Sequence, residues 1–395
     1  MLARKSDCTG CSACLVACPK KCISMIADQE GFSYPLPGAE CINCGACTTV
    51  CPSISALDTK VDIQQELFAI RAKNKTTWRQ SASGGAFSLL CKAFAGENGY
   101  IYGAAYDGIY VKHIEVQGYQ KIGPIRKSKY VFSDMNDVFK RILLRLKEGK
   151  KVVFCGTPCQ NAGLRKYLKN DYKNLLLIDF VCHGVGSPRV WKDCVDYIGY
   201  DLGKTIIKYT FREKKKYFEE RHIQRVQFAD GKSSYIKNDR YMQLYLKQLV
   251  LRPSCGANCK YRNQNRQSDI TLADYKGLFI DFPSLVGEKK NYTAVIANTH
   301  KGIESIGSIE RNEGIIIRGS MESVKRDNPL FYGNTPFPLE ERSTFFEKYC
   351  ANKSAILEYT SKTFEYHPGF FKRLYNKSPV FIRKIIYLIR NGKAK

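Results

Sequence analysis

From about residue 67 to residue 274, short apolar runs alternate with longer stretches in which apolar residues recur at every third or fourth position. Runs of the first kind read as buried strands and the second as amphipathic helices, so the alternation predicts an α/β body. Residues 138–146 read as a helix closed by Gly149. A strand over 152–154 follows, then the loop Cys155-Gly156-Thr157-Pro158-Cys159 and a helix carrying Leu164 and Leu168. A second unit repeats the plan: a strand over 175–181, the loop Cys182-His183-Gly184, and a helix with Ser187 as its N-cap and Pro188 at its first position. Successive strand-loop-helix units place both loops at the carboxyl ends of parallel strands, where open α/β sheets bind ligands. Cys159 and Cys182 are therefore predicted to meet.

The chain has 395 residues, 44% hydrophobic and 25% charged, which suits a soluble protein of two or three domains. No apolar run approaches the roughly 20 residues needed to span a bilayer, and Cys8 arrives before a signal-peptide core could form. The expected location is cytoplasmic. Sixty-three Lys and Arg against 37 Asp and Glu give a formal charge of +26, which suits either a lysine-rich solvated surface or an acidic partner. Seventeen cysteines are too few for a disulfide scaffold of this length, yet nine of them fall within the first 51 residues. Such clustering points to metal in a reducing compartment.

Those nine carry the most specific signal. Cys8, Cys11, Cys14 and Cys18 are spaced x2, x2, x3 and followed by Pro19; Cys41, Cys44, Cys47 and Cys51 repeat the spacing 33 residues later, followed by Pro52. Two-residue spacers let three thiolates wrap one 4Fe-4S cube while the fourth cysteine reaches the other cube. Cys8, Cys11, Cys14 and Cys51 are assigned to one cluster, and Cys41, Cys44, Cys47 and Cys18 to the second. Zinc modules place their cysteine pairs a dozen or more residues apart and lack this repeat. The segment resembles a bacterial two-cluster ferredoxin domain. Cys22 is surplus and is read as packing.

Downstream, Arg252-Pro253-Ser254-Cys255-x3-Cys259 supplies a cysteine pair that, with Cys159 and Cys182, makes a four-thiolate set for a third cluster, with Cys155 in reserve. Cys91, Cys194 and Cys350 read as small buried hydrophobes. A further stretch, Arg79 to Phe87, runs Ser81-Ala82-Ser83-Gly84-Gly85 into a helix. Small residues at a helix entrance let backbone amides approach a phosphate.

The ferredoxin-like head followed by Ser83-Gly84-Gly85, Ser128-Lys129-Tyr130-Val131, Gly156-Thr157-Pro158-Cys159-Gln160, Cys182-His183-Gly184, Arg252-Pro253-Ser254-Cys255 and Asp269-Ile270 resembles the beta-subunit family of coenzyme F420-reducing hydrogenases and dehydrogenases over roughly residues 1–280. The resemblance implies an iron-sulfur flavoprotein with FAD on the α/β body. The fold class it implies is an α+β ferredoxin-like N-terminal domain (1–57), an α/β flavin-binding domain (62–345) and a basic helical C-terminal tail (346–395). Two departures stand out. The family usually has C-x2-C where this chain has Cys255-x3-Cys259, and an aromatic run where this chain has Ala273-Asp274-Tyr275-Lys276-Gly277.

On that resemblance, Ser81, Ser83, Gly84 and Gly85 hold the FAD phosphates or ring edge together with Tyr130, and Lys129 stabilises negative charge on the reduced flavin. A side chain at Gly84 is expected to release the flavin and leave the clusters intact. His183 is either a proton donor or a hydrogen-bond partner of the third cluster. His113, His222, His300 and His367 show no ligand spacing. The expected activity is that of an oxidoreductase passing electrons between the clusters and FAD and on to an organic acceptor, with a redox protein as donor or acceptor. The alternative is an electron-transfer subunit that feeds a separate catalytic partner. Dispersed basic residues argue against nucleic acid. From His367 to Lys395 there are eight Lys and Arg and no acid, and Ile382, Ile385, Ile386 and Ile389 share one helical face. That tail suits docking on the body or a peripheral contact with an anionic membrane.

Overall fold

A computed structural model describes residues 2–55, 63–214, 223–257, 259–286, 288, 291–333 and 335–365, with the isolated positions 379, 382 and 385. The head carries a hairpin of β1 (Ile23–Ala27) and β2 (Ser33–Pro37) and two short helices, Ala13–Ala17 and Ala46–Thr49, each beginning within a cysteine run. Through the body the strands are β3 (Glu66–Ala72), β4 (Tyr100–Asp107), β5 (Tyr110–Gln117), β6 (Val152–Cys155), β7 (Leu175–Phe180), β8 (Ile206–Thr210), β9 (Gln224–Phe228), β10 (Ser233–Lys237), β11 (Ile270–Asp274), β12 (Thr293–Ala297), β13 (Gly314–Arg318) and β14 (Phe364–Glu365).

Eight of these form the main sheet, in the order β13-β3-β12-β11-β7-β6-β4-β5. Strands β4, β6, β7 and β11 are parallel, while β5, β12 and β13 run against their neighbours. The expected α/β sheet is thus mixed: β4 turns straight back into β5, and the segment after β11, which carries the short helix Leu278–Asp281, returns as the antiparallel β12. Strand β3 pairs antiparallel with β12, so it runs with the parallel set and ends at the same edge.

Alternate side chains explain the layers. On β6, Val152 and Phe154 face one core and Val153 the other; on β7, Leu175 and Leu177 oppose Leu176 and Ile178. Both faces are covered, as a central parallel set requires. Helices Val138–Lys147 and Pro158–Leu168 cover one face, and Cys11, Ala13 and Val50 of the head share their core. Helices Ala86–Ala95 and His300–Gly307 cover the other.

A second sheet, β14-β10-β9-β8, packs with helices Pro188–Leu202, Arg240–Leu246 and Leu339–Ala351 around Trp191, Tyr209, Phe211 and Tyr241. Phe32 and Tyr34 of the head join this core. The boundary expected between residues 345 and 346 therefore needs correction: it falls inside Leu339–Ala351, and Phe345, Phe346 and Tyr349 are all buried in the same core. The expected tail helix lies outside the described residues, apart from the isolated positions named above, as do His222 and His367. No helix among the described residues is long and apolar enough to cross a membrane.

Candidate metal centre

Cysteine placement follows from three local devices. Thr157 caps helix Pro158–Leu168 in a reciprocal box: its side chain accepts from Gln160 N, and its own N–H donates to Gln160 Oε1 at 2.8 Å. Pro158 fills the first helical position, which leaves Cys159 in the first turn beyond the end of β6. Asn161, fully buried, donates Nδ2 to the carbonyls of Gly156, Thr157 and Ile178 and so ties the β6 loop to β7. The Gly-Thr-Pro-Cys-Gln run is in this way a loop lock that aims one cysteine.

Cys182 leaves the end of β7, and the chain after it must pass very near Cys255. Gly184 makes that passage, at φ +121°; a Cβ there would lie 3.0 Å from Cys255 Cβ and 2.9 Å from Leu251 Cδ1. Arg262 staples the two loops, donating to Cys182 O at 3.3 Å, His183 O at 2.6 Å and Gly256 O at 3.3 Å. The outcome is one cavity lined by Cys159, Cys182, Cys255 and Cys259 together with Thr9, Phe132, Tyr261, Arg262 and Arg266. Burial pushes the Cys159 thiol well up, and Cys255, Cys182 and Cys259 each push it further, so the four sulfurs sense one another. Burial and Cys255 likewise raise Cys182, to about 12. Cys155 does not line this cavity. It sits at the end of β6 with its thiol raised to about 12 by burial and by Asp179.

A second cavity, in the head, is lined by Cys8, Cys11, Cys14 and Cys51 with Thr9 and Ser53. This grouping is the one assigned from the repeat, in which the fourth cysteine of the second run crosses to the first set. Burial raises Cys11 to about 12, with Cys51 and Cys8 adding to the effect. Of the other set, Cys41 and Cys44 are exposed and Cys18 and Cys47 partly covered. Cys22 lies among them, with Sγ 3.4 Å from Cys18 Sγ and a second contact to Cys41. Among the described residues no three His, Cys, Asp or Glu side chains close on a single ion. Zinc, at about 2.3 Å from each sulfur, would require such closure, whereas a cube attaches each thiolate to a different iron and leaves the sulfurs spread around a wall.

The two cavities share Thr9. Between them stands Tyr261, whose hydroxyl is 3.3 Å from Ser53 Oγ. Lys260 Nζ also reaches Ser53 O at 2.9 Å. The buried polar atoms Arg252 Nη1, Ser254 Oγ, Arg266 Nε and Arg266 Nη2 have no hydrogen-bond partner among the described residues. Unpaired donors beside thiol-lined cavities fit a cluster, whose sulfurs accept hydrogen bonds.

At the same sheet edge the turn after β3 departs from its expected role. Ser81 Oγ donates to Thr77 O and Ser83 Oγ to Tyr292 O, so neither hydroxyl is aimed at a ligand. Gly84 is needed by the fold itself, because a Cβ there would lie 2.1 Å from Ile70 O and 2.5 Å from Thr293 N. The expectation that a side chain at this position removes only the flavin is corrected accordingly. Gly85, at φ +100°, is the N-cap of Ala86–Ala95. Around that helix start, Arg126 donates Nε to Ser88 Oγ at 3.1 Å and also bonds Gln80, while Lys214 bonds Trp78 O and Ser83 O and lies 4.2 Å over the Trp78 ring.

Lys129 is half-buried, and Nζ donates to the carbonyls of Pro124, Arg126 and Lys127 at 3.0, 2.6 and 3.4 Å. Desolvation lowers it to about 7, which leaves a substantial neutral fraction at neutral pH. The Tyr130 ring packs among Phe211 and Tyr245, and its carbonyl accepts from Tyr241 Oη. His183 stands at the rim, where desolvation and the charges of Lys276 and Arg262 hold its imidazole below the usual range. His113 is buried between Ser133 Oγ, 2.7 Å from Nδ1, and Cys155 O, 3.2 Å from Nε2. Sequence reasoning missed Arg252, Tyr261, Arg262 and Arg266 as parts of the site. An arginine that directly follows the apolar run 249–251 was the available signal for the first.

Residues 149–321 match the family described as the C terminus of the coenzyme F420 hydrogenase/dehydrogenase beta subunit, and residues 7–57 match the 4Fe-4S dicluster domain. The first range contains Cys159, Cys182, Cys255 and Cys259, and the second all eight cysteines of the repeat. No curated protein matches the chain. Among solved structures, a chain of the F420-reducing [NiFe] hydrogenase complex from Methanosarcina barkeri is similar at 16% identity and a TM-score of 0.45, over 74% of this chain and 91% of that one.

Proposed function

We propose that this chain, which belongs to the coenzyme F420 hydrogenase/dehydrogenase beta-subunit family and carries a 4Fe-4S dicluster domain at its N-terminus, is an iron-sulfur flavoprotein in which electrons pass between the head and the α/β body through three thiolate-held clusters and reach FAD at the carboxyl edge of the main sheet.

One observation carries the reading: the cavity of Cys8, Cys11, Cys14 and Cys51 and that of Cys159, Cys182, Cys255 and Cys259 share the wall residue Thr9. Two thiol cavities with a common wall suit short-range electron transfer, and neither would need to be so placed for a purely structural metal. The chain's residues contribute as follows. The capped β6 loop and the Arg262 staple hold the body thiols at fixed positions, and the flanking arginines offset thiolate charge. Tyr261, Phe132 and Pro158 exclude water from the shared wall.

For FAD, support comes from the start of Ala86–Ala95, where the helix N-terminus and the side chains of Arg126 and Lys214 favour a diphosphate. When bound, a flavin supplies the exchange between one-electron and two-electron chemistry. Lys129 acts here through the carbonyls it holds, which fix the loop bearing Arg126; His183, at the rim of the body cavity, is placed to exchange a proton with solvent.

Anaerobic preparation of the full chain with iron, sulfide and flavin analysis tests the reading. Broad absorption near 400 nm bleached by dithionite, with bound FAD lost in Arg126→Ala, is expected. A colourless protein that retains zinc would overturn it. Electron transfer to a separate catalytic partner becomes the better reading if the clusters assemble and no flavin is retained.

A further inference from the structure

Arg252 is fully buried, and among the described residues its charge is not answered by a carboxylate. Nε donates to Cys8 O at 2.7 Å, Nη2 donates to Ser33 O at 2.9 Å and lies 3.7 Å from Cys8 Sγ. The guanidinium carbon stands 4.2 Å from the Tyr34 ring centre, 5.2 Å from that of Phe132 and 5.4 Å from that of Phe32. Three rings accept the cation through their faces and keep water away. Nη1 is buried without a partner among the described residues, on the side of the Cys8–Cys11 loop, where a Cβ on Gly10 would lie 2.9 Å from it. A buried guanidinium with a spare N–H beside the Cys8 thiol is costly in a protein that does not use it.

We infer that Arg252 is a positioning residue for the cluster of Cys8, Cys11, Cys14 and Cys51, holding its reduction potential above that of the cluster of Cys18, Cys41, Cys44 and Cys47. The inference rests on the proposed electron-carrying function. Reduction adds one electron, drawn from a one-electron donor, and makes the cluster more negative. A fixed cation and hydrogen bonds to ligand sulfur therefore favour the reduced state, offsetting the burial that by itself disfavours added negative charge. Among the described residues nothing comparable surrounds the other head set, where Cys41 and Cys44 are exposed. Because Arg252 stands three residues before Cys255, one short segment sets its arginine against Cys8 of the head and its cysteine in the body cavity. The direction that follows is inward: the exposed head set takes the electron, the Arg252 set holds it more tightly, and the body cavity lies next.

The experiment is a dithionite titration of the reconstituted full-length chain followed by electron paramagnetic resonance. In Arg252→Gln, with iron retained, one head midpoint is expected to fall by at least about tenfold in the reduction equilibrium, ~59 mV for a one-electron couple. The other head midpoint is expected to stay, and Arg252→Lys to remain nearer the wild type. Unmoved midpoints, or all midpoints moving together, would overturn the role of Arg252. If Arg252→Gln loses its iron, the wild type labelled with 15N-arginine decides: a nitrogen coupling to one reduced head cluster is expected, and its absence sinks the inference. A wild-type chain that holds no cluster overturns the electron-carrying reading itself, a result distinct from clusters present with unmoved midpoints.

Discussion

Tyr261 and Ser53 are 208 residues apart in sequence and face each other at 3.3 Å between the two thiol cavities. Ser53 Oγ also donates to Asp7 O at 2.8 Å, so it keeps a partner when the tyrosine hydroxyl is removed. Tyr261→Phe should cost about 1 kcal/mol or less, whereas Tyr261→Ala, which opens the wall, should cost about 3–4 kcal/mol. Thermal unfolding of both variants measures the difference, and equal effects would mean that the ring does not form the wall.

Iron content counts the centres. Three clusters of four irons predict about twelve iron per chain. Cys159→Ala or Cys182→Ala should remove about four and spare the signals of the head. A wild-type value near eight would leave the body cavity without a cluster.

Gly84 provides a test of the fold, not of the flavin. The carbonyl of Ile70 and the amide of Thr293 occupy the space a side chain would need, and backbone there has little room to yield. Gly84→Val should destabilise the chain by about 3 kcal/mol or more. Unchanged thermal stability of that variant would refute the packing argument.

His113 makes stability pH-dependent. Burial, with the charge of Lys129 adding to it, lowers its folded pKa to about 4 from an ordinary value of 6.5. A depressed imidazole is neutral in the folded state, so its contribution is fully present above pH 6.5 and is lost as pH falls from there to about 4. The span is worth about 3 kcal/mol at 1.36 kcal/mol per pKa unit. Urea titrations of wild type and His113→Gln across this window should show the slope flattened in the variant; parallel slopes would contradict the assignment.

The cysteine repeat, the parallel β6 and β7 units and the meeting of Cys159 with Cys182 were legible in the sequence, because each is carried by local spacing. Thiolates at x2 intervals, a threonine cap followed by proline, and alternating apolar strand positions impose their geometry over a few residues. The reversal of β12, the helix running through residue 345 and the true reason for Gly84 were not legible. Each depends on which distant backbone lies alongside, and single-chain periodicity carries no record of that. Lys129 shows the same limit, since its motif marked the residue while only the folded loop brought three carbonyls to its nitrogen.

The sequence by itself determined the ligand chemistry, eight thiols in two runs, two more after strand ends and a pair following Arg252, since sulfur identity and short spacing need no tertiary context. Tertiary structure alone decided that the two cavities share Thr9, that Tyr261 closes the wall between them, and that Arg252 turns its charge toward Cys8, 244 residues away. The reason is that burial of Phe32, Tyr34, Val50 and Ala13 docks the head on two separate cores of the body. Hydrophobic burial is non-directional, so which surfaces meet is fixed only when both have formed and their shapes are matched.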